Sequence, residues 1–219
     1  MNANIYDFKL SFDKMTLDGA LFDLAKVKNI CKERLGRLNK EEFTKRAYEY
    51  GKTYDHALCE LIDRDPEYFK SIINIEREKE NPRKDYETFK QINPLIAFFY
   101  DDLYEELLNT TELPFNENIS KEDIINVLTS YKENMGLELT EEEWFNNLKQ
   151  IATKCGFCDN MKVYKKNKEA YKGSIADVSE IIRITVSTRK NTPNPYYVLR
   201  ILGKERVESR INKIIEKLN

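Results

Sequence analysis

The chain has 219 residues, of which 41% are hydrophobic and 34% charged, with only 7 Gly and 6 Pro. This balance argues against a turn-rich sandwich or barrel and predicts a soluble helical protein of one large or two small domains. The net charge of −2 hides an asymmetry: residues 161–219 carry fourteen Lys/Arg against six Asp/Glu, a net of +8, which leaves −10 for residues 1–160. A basic segment behind an acidic body points to an anionic partner, with a lysine-rich solvated surface as the plainer alternative.

At the N-terminus, MNANIYDFKL has neither a basic n-region nor an apolar h-region. The longest apolar run, PLIAFFY at 94–100, is too short to span a bilayer, so a cytosolic protein with no membrane contact is expected. Leu17, Leu21, Leu24 and Cys31 recur near helical spacing and predict a helix over 18–35. Asn39 followed by Glu42 has the form of an N-cap with its partner, and Phe43, Ala47 and Tyr50 line one face of the helix behind it. Asp65-Pro66 opens another helix, expected to run to about Glu78, and Asn81-Pro82-Arg83-Lys84-Asp85 is a turn. Residues 86–108 are the most apolar helical stretch, with Asn93-Pro94 expected to bend or break it. TTELPFNEN at 110–118 is polar, contains Pro and separates two periodic regions, which makes it the linker.

Beyond the linker, Ser120 with Asp123 starts a helix, and Thr140 to Glu143 is a capping box for a helix carrying Trp144, Leu148 and Ile151. Residues 159–173 read as a Lys-rich connection. Ile181 to Thr188 is strand-like by propensity but has no partner strand nearby, so strand and buried helix both remain open. Gly203 precedes a final helix with Val207, Ile211, Ile214 and Leu218 on one face.

Several chemistries lack their residues. His56 is the sole histidine, and no Gly-rich phosphate loop occurs. No catalytic residue, cofactor or metal is therefore expected in this chain. Cys155 and Cys158 form a C-x-x-C at the end of a helical pattern, a context that favours reduced structural thiols over a metal site or a redox pair. What the last third does offer is cations interleaved with aromatics, among them Tyr164, Lys165, Lys166, Tyr171, Lys172, Arg183, Arg189, Lys190, Tyr196, Tyr197, Arg200, Lys204, Arg206 and Arg210. RNA recognition uses this mixture: cations neutralise phosphates, aromatic faces stack on unpaired bases, and Arg or Thr read base edges. The Thr-Pro-Asn-Pro loop also feeds a helix whose free N–H groups can take a phosphate. Composition alone leaves an ordinary basic surface with core tyrosines equally open.

The stretch IIRITVSTRKNTPNPYYVLRILGKERVESRI, residues 181–211, resembles the C-terminal end of bacterial glutamyl-tRNA synthetases. KMTLDGALFDLAKV, INIEREKENPRKD and the block from Glu143 to Ile184 resemble a long-form subgroup of the same family, in collinear order. The resemblance implies an all-α fold in two helical subdomains, residues 1–115 as a connecting and first anticodon-binding part and 116–219 as a helical anticodon-binding cage. It also turns 181–188 into helix. The implied partner is a glutamate tRNA, with a glutamine tRNA as the open alternative, and the fragment is expected to be monomeric. ATP and Mg belong to a catalytic domain that this stretch lacks, so the fragment alone is expected to be inactive.

The resemblance also implies roles. Arg183 and Thr192 fall on positions that approach the anticodon, and Arg83 on a turn arginine that in some members reads the third anticodon base. Lys149 replaces an arginine of the anticodon face, keeping the charge without the bidentate fork. Pro195 stands where a leucine usually packs on a base, and Thr188 where many members have glycine. Arg189, Lys190, Tyr196, Lys204 and Arg206 complete the expected tRNA contacts. The plainer readings are that Arg183 pairs with Asp177 or Glu180, that Arg83 is a turn cation beside Asp85, and that Tyr196 and Tyr197 divide between core and surface. The rival functions are a helical protein-interaction module without RNA binding and a thiol or metal switch at CGFC.

Overall fold

Side-chain caps fix most helix starts in the chain, which the computed structural model describes for residues 22–219 together with Asp7, Lys9 and residues 11–14. Helix α1 (Leu24–Gly36) begins where the Asp23 carboxylate accepts from the Lys26 amide, so residues 18–21 of the helix expected there lie outside the described residues. Asn39 accepts from the Glu42 amide to start α2 (Lys40–Tyr54), as its sequence predicts. Asp55 and Asp65 cap α3 (His56–Arg64) and α4 (Pro66–Ile73) in the same way, with Pro66 in the first turn of α4.

Two of these elements differ from the expectation, for identifiable reasons. Helix α4 stops at Ile73 instead of near Glu78. Asn74 turns its side-chain amide onto the Lys70 carbonyl at 2.8 Å and the Thr44 hydroxyl at 3.0 Å, and Glu76 follows in the left-handed region at φ 57°. Arg77 then lies 3.6 Å over the Phe43 ring and donates to the carbonyls of Leu35 and Leu38, closing the end of α1. The apolar stretch 86–108 is broken more than once: a 3-10 turn at 89–91, α5 (Ile92–Ile96), a second 3-10 turn at 97–99, and α6 (Asp101–Thr110). Pro94 lies inside the first turn of α5, where its missing amide hydrogen has no helical partner to lose. The chain instead turns at Tyr100, which is extended at ψ 128°, and this drives Phe98, Phe99 and Tyr100 into the core.

The second half contains α7 (Lys121–Glu133), α8 (Glu141–Lys154), α9 (Met161–Lys166), α10 (Ile175–Ser187), α11 (Pro195–Leu202) and α12 (Lys204–Leu218). Both halves of the Thr140–Glu143 capping box form. Helix α9, with Asn160 accepting from the Lys162 and Val163 amides, occupies a stretch expected to be only a connection. Helix α10 resolves the alternative over 181–188, and the fold is all-α: among the described residues the only β feature is an isolated bridge between Cys158 and Ser174. Also among them, no helix is long and apolar enough to cross a membrane.

Buried side chains from Leu38 to Ile214 form one continuous cluster. Polar groups stitch across it. The Tyr104 hydroxyl donates to the Thr185 carbonyl at 2.6 Å, and burial raises its pKa to about 12. Arg210, only 2% exposed, lies over the Tyr104 ring and donates to the Phe98 and Val186 carbonyls and to Asp101. The irregular segment 111–120 carries the chain from α6 to α7.

Candidate nucleic-acid interface

Helix α10 ends at Thr188, whose φ of 61° puts a β-branched residue in the left-handed region. This turn throws the chain off the helix axis into the loop 189–194. Three contacts hold the start of the loop. Ser187 Oγ donates to the Arg183 carbonyl at 2.7 Å, and the Arg189 amide lies 3.3 Å from the same hydroxyl. The Arg189 side chain reaches α5 and donates to the Pro94 carbonyl at 2.6 Å. Burial among these groups lowers the pKa of the Arg189 guanidinium, which stays protonated at neutral pH.

Between this loop, the irregular segment 82–86 and the broken stretch 92–99 lies a cleft of roughly 350 Å³, within the size range of small-ligand sites. Ile72, Tyr86, Leu95, Ile96, Phe98 and Phe99 contribute its apolar floor, and Arg83, Asp85, Arg183, Lys190, Asn191 and Thr192 its polar rim. Arg83 is held by Asp85 through a two-point pair, Nε to Oδ2 at 2.8 Å and Nη2 to Oδ1 at 2.6 Å, and that hydrogen-bonded pair raises its pKa. The same Nη2 reaches the Thr192 carbonyl at 3.4 Å. Arg183 donates through Nη1 to the Lys190 carbonyl at 3.1 Å, while its Nε is buried with no hydrogen-bond partner. Burial lowers the Arg183 pKa, with the nearby Arg83 charge adding to the shift and Glu180 opposing it. The pairing with Asp177 or Glu180 weighed from sequence is not made: Asp177 bonds Ser174 at the start of α10, and Glu180 pairs with Lys190 at 3.4 Å.

The structure thus brings Arg83, Arg183, Lys190 and Thr192 to one cleft, with Arg189 bracing its loop. The remaining sequence-selected residues lie elsewhere. Pro195 and Tyr196 are buried in the first turn of α11; the Tyr196 ring packs 5.9 Å from Trp144 and its hydroxyl donates to the Leu139 carbonyl at 2.9 Å. Tyr197 is half-buried and donates to Glu141 at 2.8 Å, so the tyrosine pair divides between core and surface as expected. Lys149 sits on α8 over the Phe145 ring, outside the cleft lining. Lys204 and Arg206 line a separate groove at the start of α12, where Arg206 pairs with Asp101 at 3.1 Å and donates to the Tyr68 hydroxyl at 2.8 Å. Among the cleft residues that sequence reasoning did not select for the site are Asp85, Leu95 and Ile96. Asp85 was legible only as the neighbour of Arg83, and the two apolar residues carry no local signal.

The chemistry available is that of an apolar slot rimmed by two guanidinium groups, a lysine, a hydroxyl and several backbone carbonyls. A planar aromatic edge can enter it, be held by its faces on Leu95 and Ile96, and meet forked donors at its polar edge. The four cysteines are free thiols, and no group of three or more His, Cys, Asp or Glu able to hold a metal occurs among the described residues.

No protein-family model matches the chain. It is 31% identical over 215 residues to a glutamate–tRNA ligase of Clostridium perfringens, covering 98% of this chain and 39% of that protein. Glutamate–tRNA ligases of Clostridium beijerinckii and Acetivibrio thermocellus match at 30% and 31% identity, over 97% and 98% of this chain and 38% of each relative. The chain therefore spans about two-fifths of the length of the relatives it matches.

Proposed function

The chain belongs, along the segment that it matches, to the glutamate–tRNA ligase family, and from that premise we propose that it recognises the anticodon of a tRNA as the C-terminal part of such a ligase. The parent reaction is the ATP-dependent attachment of glutamate to its tRNA, with ATP and Mg held by the part of the enzyme that this chain does not span. The segment by itself binds and does not catalyse. It works in the cytoplasm as a monomer, on glutamate tRNA and, if the rim around Arg83 tolerates it, on glutamine tRNA.

One observation carries the reading. Arg83 and Arg183, a hundred positions apart in sequence, line the same apolar-floored cleft together with Thr192. One of these guanidinium groups keeps a buried N–H that no protein atom accepts. The anticodon would enter edge-first, with Arg183 and Arg83 reading its polar edge and Lys190 taking a neighbouring phosphate.

The test is titration of the chain with glutamate tRNA and with an anticodon-swapped version of it, at two salt concentrations. Tighter binding of the native anticodon, lost in Arg183→Ala, is the expected result. Equal affinity for both tRNAs in this chain and in the full-length ligase would remove the anticodon reading.

A further inference from the structure

Residues 159–173 leave the body between α8 and α10 and return to the point of departure. Three backbone bonds pin the neck: Cys158 N–H to the Gly173 carbonyl at 2.9 Å, Ile175 N–H to the Cys158 carbonyl at 2.7 Å, and Lys172 N–H to the Gly156 carbonyl at 3.1 Å. Lys172 adds a salt bridge to Asp123 on α7 at 2.5 Å. Inside the loop Asn160 caps α9, so the excursion is internally ordered and not a slack connection. Its outer face is cationic. Lys162, Lys165, Lys166 and Lys168 are exposed and take part in none of the ion pairs found among the described residues, and Glu169 is the only acid between Asn160 and Lys172. Elsewhere many exposed cations have carboxylate partners, as Lys28 does with Glu87, Arg64 with Asp102 and Lys79 with Glu76. Four unpaired lysines in seven residues repel one another, and a pinned loop holds them together regardless.

Helix α10 connects the loop to the cleft. Helix α10 starts where the loop returns and reaches Arg183 on its third turn, about 12 Å further along at 1.5 Å per residue. The less buried positions Ala176, Ser179, Glu180 and Arg183 recur at helical spacing and mark one outer stripe between the two places. A nucleic-acid strand leaving the cleft along that stripe would meet the lysines within a few nucleotides.

We propose that the pinned loop 159–173 is a second nucleic-acid contact, a phosphate-binding arm that grips the RNA backbone beside the cleft without reading its sequence. It rests on the tRNA reading above for the identity of the RNA. Its chemistry is that of lysine point charges replacing condensed counterions, which carries affinity and salt dependence but no base preference.

The test is fluorescence-anisotropy titration of the full chain, and of a Lys162→Ala/Lys165→Ala/Lys166→Ala/Lys168→Ala variant, with two RNA hairpins over a range of salt. One hairpin is the anticodon stem-loop of a glutamate tRNA and the other has the anticodon swapped. The four side chains are exposed and alanine favours helix, so far-UV circular dichroism should be unchanged; a fourfold Lys→Arg variant, which keeps the charge, should bind as the parent does. The variant should lose about tenfold or more in affinity for both hairpins at low salt. Its log–log salt slope should fall by about 3, at about 0.7–0.9 for each of four phosphate contacts, while the ratio between hairpins stays as it was. Unchanged affinity and slope overturn the arm and leave anticodon reading intact. A lysine-dependent slope without anticodon preference keeps the arm, and the same result in the full-length ligase removes the anticodon reading. Lysine-dependent binding to vesicles of anionic phospholipid, with none to either hairpin, overturns the proposal in favour of a lipid contact.

Discussion

Arg83 Nη2 donates to the Thr192 carbonyl at 3.4 Å, across 109 positions of sequence. The segment 82–86 and the loop 189–194 are thereby two walls of one cleft, and Asp85 sets the aim of the arginine that joins them. If binding at the cleft is specific, Arg83→Ala and Arg183→Ala should each cost about 1–3 kcal/mol in affinity for the native anticodon. The double variant should cost less than their sum by at least roughly 0.5 kcal/mol, since the two groups share a ligand and a wall. Asp85→Ala discriminates further. Bulk electrostatics expects removal of a carboxylate to strengthen RNA binding, whereas the loss of Arg83 orientation expects it to weaken. Anisotropy titrations of the four proteins decide between these, and tighter binding by Asp85→Ala would remove the orienting role of that pair.

Trp144 and Tyr131 offer a test of the core of the second half. The indole Nε1 donates to the Tyr131 hydroxyl at 3.1 Å, and both rings are buried. Burial also pushes the Tyr131 hydroxyl pKa up, against the smaller opposing effect of the indole donor. Tyr131→Phe preserves the ring and leaves the indole N–H without an acceptor, so urea unfolding should show a loss of about 1–3 kcal/mol with an unchanged m-value. Loss of a few tenths only would mean that water reaches the indole.

Arg210 provides a larger effect. One guanidinium serves the Phe98 carbonyl, the Val186 carbonyl and Asp101, joining the turn at 97–99, the end of α10 and the start of α6. Arg210→Ala leaves two carbonyls in the core without donors and should destabilise by about 3–5 kcal/mol. Arg210→Lys keeps the charge but loses the fork, and should recover less than half of that loss. Because the contacts cross from one half of the chain to the other, both variants should unfold in a single earlier transition monitored by circular dichroism and by Trp144 fluorescence together.

What the sequence disclosed divides along a physical line. Interactions spanning three or four residues were legible: Asn39 with the Glu42 amide and Thr140 with Glu143 are caps that a string of letters carries. The end of α4 was not, because Asn74 finds Thr44 thirty positions away and Arg77 settles on the Phe43 ring. Helix α9 was hidden by its lysines, with Asn160 as its one local signal. For the cleft, Arg183 and Thr192 were marked by resemblance and by the Thr-Pro-Asn-Pro loop between two helices. Its floor was invisible, since Leu95 and Ile96 are presented there only because the chain breaks at Tyr100 and folds back under α10.

Acid should weaken the packing around Glu141. This carboxylate accepts from the Asn194 side chain at 2.6 Å and from the Tyr197 hydroxyl at 2.8 Å, and Lys79 lies 3.6 Å away. Burial alone would push its pKa up, but those hydrogen bonds and the lysine charge outweigh it and hold the carboxyl below the ordinary 4.5. A carboxyl whose folded pKa lies below its unfolded one contributes stability that is fully present above the unfolded value and is lost as pH falls through the folded one. Stability should therefore be flat near neutrality and decline below about pH 4.5, with Glu33, Glu42, Glu87, Asp102, Asp123 and Glu143, all lowered, adding to the slope. Glu141→Gln removes one titrating group and should make that acid decline shallower while lowering stability at pH 7. Since Asn194 also caps α11 through the Tyr196 amide, the variant should in addition loosen the loop that carries Thr192. Protection factors of the amides at 190–197, corrected for the intrinsic pH dependence of exchange, should fall in Glu141→Gln at pH 7 and in the parent chain below pH 4.5, and protection in Glu141→Gln equal to that of the parent at pH 7 would mean that Glu141 holds nothing there.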